Sequence, residues 1–159
     1  MTLTNDEESL LDILRKTAKQ RVKAGEEFTE FTGIIGELAA CQRFGYRWTP
    51  SDGYDATDED CNRIQIKTRK VWSSPNFKSG RIGKFGRKNK YEFEIGILVL
   101  LDKEFEIAEV WQLDKDEIRN RESREDGRLL ALHVSTFIKK PVRQYYNPDF
   151  ESLKIKENL

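Results

Sequence analysis

Hydrophobic and polar positions alternate over residues 63–69, which read RIQIKTR. Ile64 and Ile66 are apolar, and the positions around them are polar or cationic. A period of two over this length predicts a half-buried β-strand, which we expect to continue to about residue 72. Its polar face places Gln65 beside Lys67, so the function of this face depends on which elements surround it.

Two segments before this strand have the spacing of amphipathic helices. Residues 6–23 begin with acids, end with bases and carry apolar or small positions at helical spacing, namely Leu10, Ile13, Leu14 and Thr17. The stretch FTEFTGIIGELAACQRFG predicts a second helix, with Thr29 as its N-cap and Gly45 as its stop. The apolar face of that second helix consists of Phe31, Ile34, Ile35, Leu38 and Cys41.

The rest of the chain predicts further strands around the first. An extended segment at 46–49, a turn at 51–53, a strand at 54–56 and a hairpin turn at 58–62 lead into it. FEIGILVLLD has the pattern of a buried strand, and EFEIAEVWQL alternates and should pair back through a turn at 102–103. DKDEIRNRESRE predicts a polar helix, and LLALHVSTFIKKPV a last strand with a short helical turn. We expect one mixed α/β domain over residues 1–159, with a central β-sheet flanked by helices.

Composition restricts the possible environments of the protein. Apolar residues make up 37% and charged residues 35% of the chain, which is typical of a globular protein with a very polar surface. No apolar run approaches the roughly 18 residues that span a bilayer, so we expect no membrane association. The acidic N-terminus lacks the layout of a signal peptide, and Cys41 and Cys61 form no CxxC pair. A reduced, cytoplasmic protein is the expectation.

The formal net charge of zero conceals a strong segregation of charge. Residues 61–91 contain no Asp or Glu, and within them a basic loop at about 73–90 is interleaved with aromatic side chains. A solvated loop and a phosphate-binding surface both fit this pattern. If the surface binds nucleic acid, the candidate contacts are Arg63, Arg69, Lys70, Lys78, Arg81, Lys84, Arg87, Lys88 and Lys90.

Three elements could bring reactive side chains together at the first strand. Glu37 is the only acid in the apolar stretch 31–41, where a carboxylate is costly unless it has a partner. If residues 57–62 form the turn, Asp55 lies beside Gln65 and Lys67 on the neighbouring strand. Two carboxylates and an amide oxygen are hard ligands suited to Mg²⁺. Taken singly, Glu37 could instead pair with an Arg, Asp55 could belong to a turn, and the strand residues could face solvent.

The pieces GELAA, GYD and QIK, within residues 28–70, resemble the motifs of the PD-(D/E)xK nuclease superfamily. The resemblance implies a restriction-endonuclease-like fold and four catalytic positions. Asp55 would be the principal metal ligand, Gln65 would replace the usual acid, Lys67 would be the catalytic lysine, and Glu37 the accessory helix acid. The backbone carbonyl of Ile66 would supply a further metal ligand. The chain departs from the family pattern at Gln65, and its basic loop replaces the usual helix after this strand.

The same resemblance implies an activity and its partners. It implies a Mg²⁺-dependent endonuclease, with Mn²⁺ as a substitute metal, that cuts double-stranded or branched DNA as a homodimer or higher homo-oligomer. Restriction enzymes, Holliday junction resolvases and homing endonucleases are such relatives. Two alternatives remain: a DNA-binding module of the same fold without catalysis, and a protein-interaction domain whose basic loop meets an acidic partner. His133, the only histidine, lies in an apolar run, which favours a structural role.

Overall fold

The computed structural model describes residues 3–26, 30–70, 80–87, 90–124, 126, 128–139 and 142–146. This part of the chain forms four α-helices and eight β-strands. In chain order they are α1 (Asn5–Lys23), α2 (Thr32–Phe44), β1 (Arg47–Ser51), β2 (Tyr54–Thr57), β3 (Arg63–Lys70), β4 (Arg81–Gly83), β5 (Ile95–Leu101), β6 (Ile107–Asp114), α3 (Lys115–Glu122), β7 (Leu132–His133), α4 (Val134–Phe137) and β8 (Arg143–Tyr146).

A six-stranded mixed sheet organises the molecule, with the strand order β1-β2-β3-β5-β6-β8. The central pair, β3 and β5, is parallel, and every other pair in this sheet is antiparallel. β4 and β7 form a separate two-stranded sheet. The predicted class, a mixed α/β domain with a central sheet flanked by helices, is confirmed at this level.

Two hydrophobic cores cover the two faces of the sheet. One lies between the sheet and α1 and α2, and includes Ile66 of β3 and Val99 of β5. The other lies between the sheet and α3, α4, β4 and β7, and includes Leu98 of β5 and Phe85. β5 is buried on both faces, which explains why its sequence is apolar throughout rather than alternating. β3 alternates between half-buried and buried positions, as its sequence predicts.

The two predicted N-terminal helices are present. α1 begins with a capping box, in which Thr4 and Glu7 exchange hydrogen bonds between side chain and backbone. α2 ends at Gly45 in the left-handed conformation, as predicted. Its N-cap is Phe31, and Thr29 lies outside the described residues.

The apolar face predicted for α1 is partly wrong. Leu14 is buried, but Leu10 and Ile13 are exposed, and the helix instead buries Leu11 and Ala18 beside Leu14. The buried positions follow one another at three and four residues, so they also form a helical stripe. The sequence therefore contains two overlapping stripes. The stripe that packs against α2 is the one that ends in Ala18, whose side chain is smaller than that of Thr17.

The strands match the predicted order, with two additions. The basic loop contains β4, and β8 pairs with β6 at the sheet edge, where no strand was predicted. Within residues 80–87 and 90–94, the described part of the crossover from β3 to β5 has no helix. His133 lies on β7 with an exposed side chain, not in the core. None of the helices in the described ranges combines the length and apolarity that crossing a bilayer requires.

Candidate active site

The site forms where β2 separates from β3. The two strands pair at Ala56 with Ile64 and at Thr57 with Arg63, and the pairing ends there. Beyond this point the side chain of Asp55, rather than the main chain of β2, bonds to β3. Its Oδ2 accepts hydrogen bonds from the backbone N–H of Ile66, at 2.7 Å, and from Nε2 of Gln65, at 2.6 Å. The carboxylate thus satisfies a main-chain donor that the lost ladder would leave unpaired.

A helix acid reaches the same place because α2 packs very closely on β3. Gly36 lies directly against Thr68, and a Cβ atom at Gly36 would overlap the threonine side chain. The next residue, Glu37, is half-buried, and its Oε2 accepts a hydrogen bond of 2.9 Å from Nε1 of Trp48 on β1. A residue without a side chain therefore brings the following carboxylate close to the strand edge.

All four predicted catalytic residues line one open cavity of about 540 Å³. Glu37 comes from α2, Asp55 from β2, and Gln65 and Lys67 from β3. Ile66 also lines the cavity, together with Arg69 and Lys70 further along the strand. The folded chain therefore brings together residues that are up to 30 positions apart in sequence.

The two carboxylates are in an unfavourable electrostatic environment. Burial raises the pKa of Glu37 to about 7, and the negative charge of Asp55 adds to that rise. The hydrogen bond from Trp48 and the positive charge of Lys67 act in the opposite direction. Burial likewise raises the pKa of Asp55, against the effects of the Ile66 N–H, Lys67 and Gln65. A cation between these carboxylates would relieve both the desolvation and the repulsion.

The donor atoms suit a hard divalent cation. Glu37 and Asp55 offer carboxylate oxygens. The carbonyl of Ile66 faces the same strand edge as its N–H, because both groups of a strand residue point to one side. Within the described ranges, no three His, Cys, Asp or Glu side chains come together as a metal-binding group. A metal ion here would therefore depend on amide and main-chain oxygens beside the two carboxylates.

Gln65 makes a contact that the sequence did not indicate. Its amide points the nitrogen, not the oxygen, toward Asp55. It therefore acts as a donor that stabilises the ionised Asp55, a contact that a glutamate could make only when protonated. To serve as a metal ligand, the amide would have to turn so that its oxygen faces the cavity.

The predicted DNA contacts on β3 are engaged with the protein. Arg63 forms an ion pair with Glu94 at 2.6 Å, and this contact lowers the pKa of Glu94 to about 2. The guanidinium of Arg69 donates to the carbonyl oxygens of Thr68 and Arg81. Lys70 is buried. Of these three residues, Arg69 and Lys70 line the cavity.

Four further predicted DNA contacts lie in the described part of the basic loop. Arg81, Lys84, Arg87 and Lys90 all have exposed side chains. Arg87 also pairs with Asp52 at 3.1 Å, on the turn between β1 and β2. Lys78 and Lys88 lie outside the described residues.

Three residues that contact the site or the basic loop were not predicted from the sequence. Trp48 holds Glu37, and nothing in its local sequence indicates a partner on α2. Phe85 places its ring 5.7 Å from Nζ of Lys67. Glu122, on α3, is fully buried and binds the basic loop. A signal for Glu122 existed, because it follows Ile118, the only apolar residue of that helix, by one helical turn.

No model of a protein family matches the chain, and a search of curated proteins returns no match.

Proposed function

We propose that the protein is a Mg²⁺-dependent endonuclease that hydrolyses DNA phosphodiester bonds. The observation that supports this proposal is the convergence of Glu37, Asp55, Gln65 and Lys67 on one cavity. Their order along the chain, with an acid on a helix, an Asp on one strand and Gln-x-Lys on the next, resembles that of the PD-(D/E)xK nucleases. A restriction-endonuclease-like fold is part of the proposal.

Each side chain has a role that follows from its contacts. Asp55 and Glu37 would hold the cation, with the carbonyl of Ile66 and the turned amide of Gln65 completing the oxygen donors. A bound Mg²⁺ polarises a phosphoryl oxygen and lowers the pKa of a bound water. Lys67, whose charge acts on both carboxylates, would donate to the attacking water or to an oxygen of the phosphate. Trp48 fixes Glu37 by its hydrogen bond.

The basic loop would hold the DNA near this cavity. Arg81, Lys84 and Lys90 are exposed, and contacts from such side chains to phosphates would act on any sequence. Cutting both strands of a duplex or a branched substrate needs two copies of the site. We therefore include a homodimer or higher homo-oligomer in the proposal.

The test is nicking of supercoiled plasmid DNA with Mg²⁺, Mn²⁺ or EDTA. Wild-type protein should nick only with metal, and Lys67→Ala should lose at least about 100-fold in rate, as expected when a charge-stabilising group is removed. Lys16→Ala, which removes an exposed lysine of α1, is the matched control. Wild-type rates in Lys67→Ala, with unchanged circular dichroism, would refute the mechanism.

A DNA-binding module without catalysis is the second candidate. It is favoured by one observation, the Gln65 nitrogen that faces Asp55 where a metal ligand is expected. Salt-dependent DNA binding by a wild-type protein that never nicks would establish this alternative.

A further inference from the structure

Glu122 is a fully buried carboxylate that binds two backbone groups of the basic loop and the hydroxyl of Tyr91, which follows the loop. Its Oε2 accepts a hydrogen bond of 2.6 Å from the backbone N–H of Phe85. Its Oε1 accepts from the N–H of Gly86, at 2.9 Å, and from the hydroxyl of Tyr91, at 2.8 Å. Hydrogen bonds to a buried charged group are stronger than neutral ones, and a partner left unsatisfied is costly. One side chain of α3 therefore fixes two points of the loop.

The surroundings of this cluster leave little freedom. A Cβ at Gly86 would overlap the ring of Tyr91, so the loop is tightly folded at this point. The guanidinium of Arg119 lies 5.4 Å from the centroid of the Tyr91 ring. Burial, followed by the hydrogen bond and charge of Glu122, raises the pKa of Tyr91, which keeps its hydroxyl available as a donor. Contacts with buried residues therefore fix the conformation of the loop at this point.

The cluster is connected to the candidate active site through Phe85. The Phe85 ring stacks on Phe137, with centroids 5.5 Å apart, and lies 5.9 Å from the centroid of Phe93. Its face lies toward Lys67, with Nζ 5.7 Å from the ring centroid, within the range of a cation–π interaction. The backbone N–H of the same residue is held by Glu122.

We propose that Glu122 is a positioning residue that places the Phe85 ring against the Lys67 ammonium group and orients the basic loop beside the cavity. The inference rests on the proposed function for its catalytic consequence only. The placement itself is a property of the folded protein. Glu122→Gln keeps the shape of the side chain but puts an NH₂ group opposite one of the three donors, so at least one buried hydrogen bond is lost.

The first measurement does not depend on activity. Reductive ¹³C-methylation of the lysines gives each a methyl resonance, and the one that disappears in Lys67→Arg belongs to Lys67. In the wild type the aromatic ring should shift this resonance away from those of the solvent-exposed lysines. Phe85→Leu, which keeps an apolar side chain, should abolish the shift. Glu122→Gln should reduce it, whereas Glu117→Gln on the same helix, which removes a partly buried ion pair with Arg121, should not.

Amide hydrogen exchange supplies the second measurement. The Phe85 and Gly86 N–H groups should exchange roughly 10 to 100 times faster in Glu122→Gln than in the wild type, as expected for a lost buried hydrogen bond. The same amides in Glu117→Gln should keep wild-type rates. An unmoved Lys67 resonance, together with wild-type exchange at both amides in Glu122→Gln, would overturn the proposal.

Plasmid nicking then tests the catalytic consequence separately. In a protein that nicks, Glu122→Gln should lower kcat by about tenfold or more at saturating DNA, because Lys67 is displaced. A rise in KM alone would limit Glu122 to orienting the loop and overturn its link to Lys67. If the wild type never nicks, the proposed function fails, but the resonance and exchange measurements still decide the placement.

Discussion

At the scale of single residues, the candidate active site is a compromise between burial and charge. Glu37 and Asp55 both have raised pKa values, because desolvation outweighs the favourable contacts each of them makes. Lys67 supplies a positive charge that acts on both, and Trp48 and Gln65 each donate one hydrogen bond. Stability and metal binding therefore depend on the same two carboxylates.

Glu37 should make the metal-free protein less stable as pH rises. Its pKa is about 7 in the folded protein against an ordinary 4.5, so between these values the folded state holds a proton that the unfolded chain releases. The free energy of unfolding should therefore fall from about pH 4.5 to pH 7, by the order of 2 kcal/mol after allowance for partial exposure. Urea denaturation in EDTA at pH 5 to 8 measures this fall.

The variant Glu37→Gln is the comparison for that slope. Its amide oxygen can still accept from Trp48, but it has no proton to lose. Most of the fall should disappear in the variant, leaving the smaller contribution of Asp55, which has the same sign. Equal slopes in both proteins would show that Glu37 is not the titrating group.

Replacing Gln65 with Glu should lower the stability of the metal-free protein and raise its affinity for metal. The change removes the donor that binds Asp55 and puts a third carboxylate in the cavity, so the metal-free protein should lose about 1–3 kcal/mol. The added charge should tighten Mn²⁺ binding, which calorimetry without DNA would detect. Gln112→Glu makes the same charge change on β6, outside the cavity. Equal Mn²⁺ affinities for Gln65→Glu and wild type would show that this side chain does not face the metal.

At the scale of elements, local patterns were sufficient for most of the helices and strands. The alternation of RIQIKTR and the apolar run of β5 follow directly from their places in the sheet. The patterns did not distinguish between two stripes on α1, and they gave no sign of β8, whose four residues RQYY become a strand by pairing with β6. The tight contact of α2 with β3 at Gly36 depends on how the helix packs on the sheet.

That contact should be sensitive to a single methyl group. Gly36→Ala would overlap Thr68 and should lower the free energy of unfolding by about 1–3 kcal/mol. Gly33→Ala is the matched control, since a Cβ there has no atom within 4 Å, and the change should be neutral or slightly stabilising. Combining Gly36→Ala with Thr68→Ala should cost less than the sum of the two single changes. If the losses in free energy of unfolding from the two single changes simply add in the double variant, the two side chains do not clash.

At the scale of the whole molecule, the sequence indicated which residues of the site come together, but not which contacts hold them there. Glu37, Asp55, Gln65 and Lys67 were predicted from their types and order. Trp48, Phe85 and Glu122 act across long separations, and their contacts depend on the final packing of strands and helices. The spacing of Glu122 from Ile118 puts it on the buried side of α3, but its partners on the basic loop are visible only in the folded chain.

The basic loop should supply salt-dependent, sequence-independent DNA affinity. Each phosphate contact that is lost should lower the slope of log K against log salt by roughly 0.9. Replacing Arg81, Lys84 and Lys90 with Ala should therefore lower the slope by up to about 2.7 on unrelated duplexes. Replacing Lys16, Arg21 and Lys23 of α1 is the control with the same change in charge. An unchanged slope in the loop variant would place the DNA elsewhere.

The parallel pairing of β3 and β5 has a consequence for how this protein can diverge over evolutionary time. Such a pair needs a long connection, and here that connection contains the basic loop. Glu37 to Lys67 all precede it, so insertions and deletions in the connection that preserve the contact of Phe85 with Lys67 leave the cavity residues in place. Because doubling the length of a flexible loop costs only about 0.6 kcal/mol, descendants of this chain could alter what they bind in one stretch of the gene while inheriting the chemistry in another.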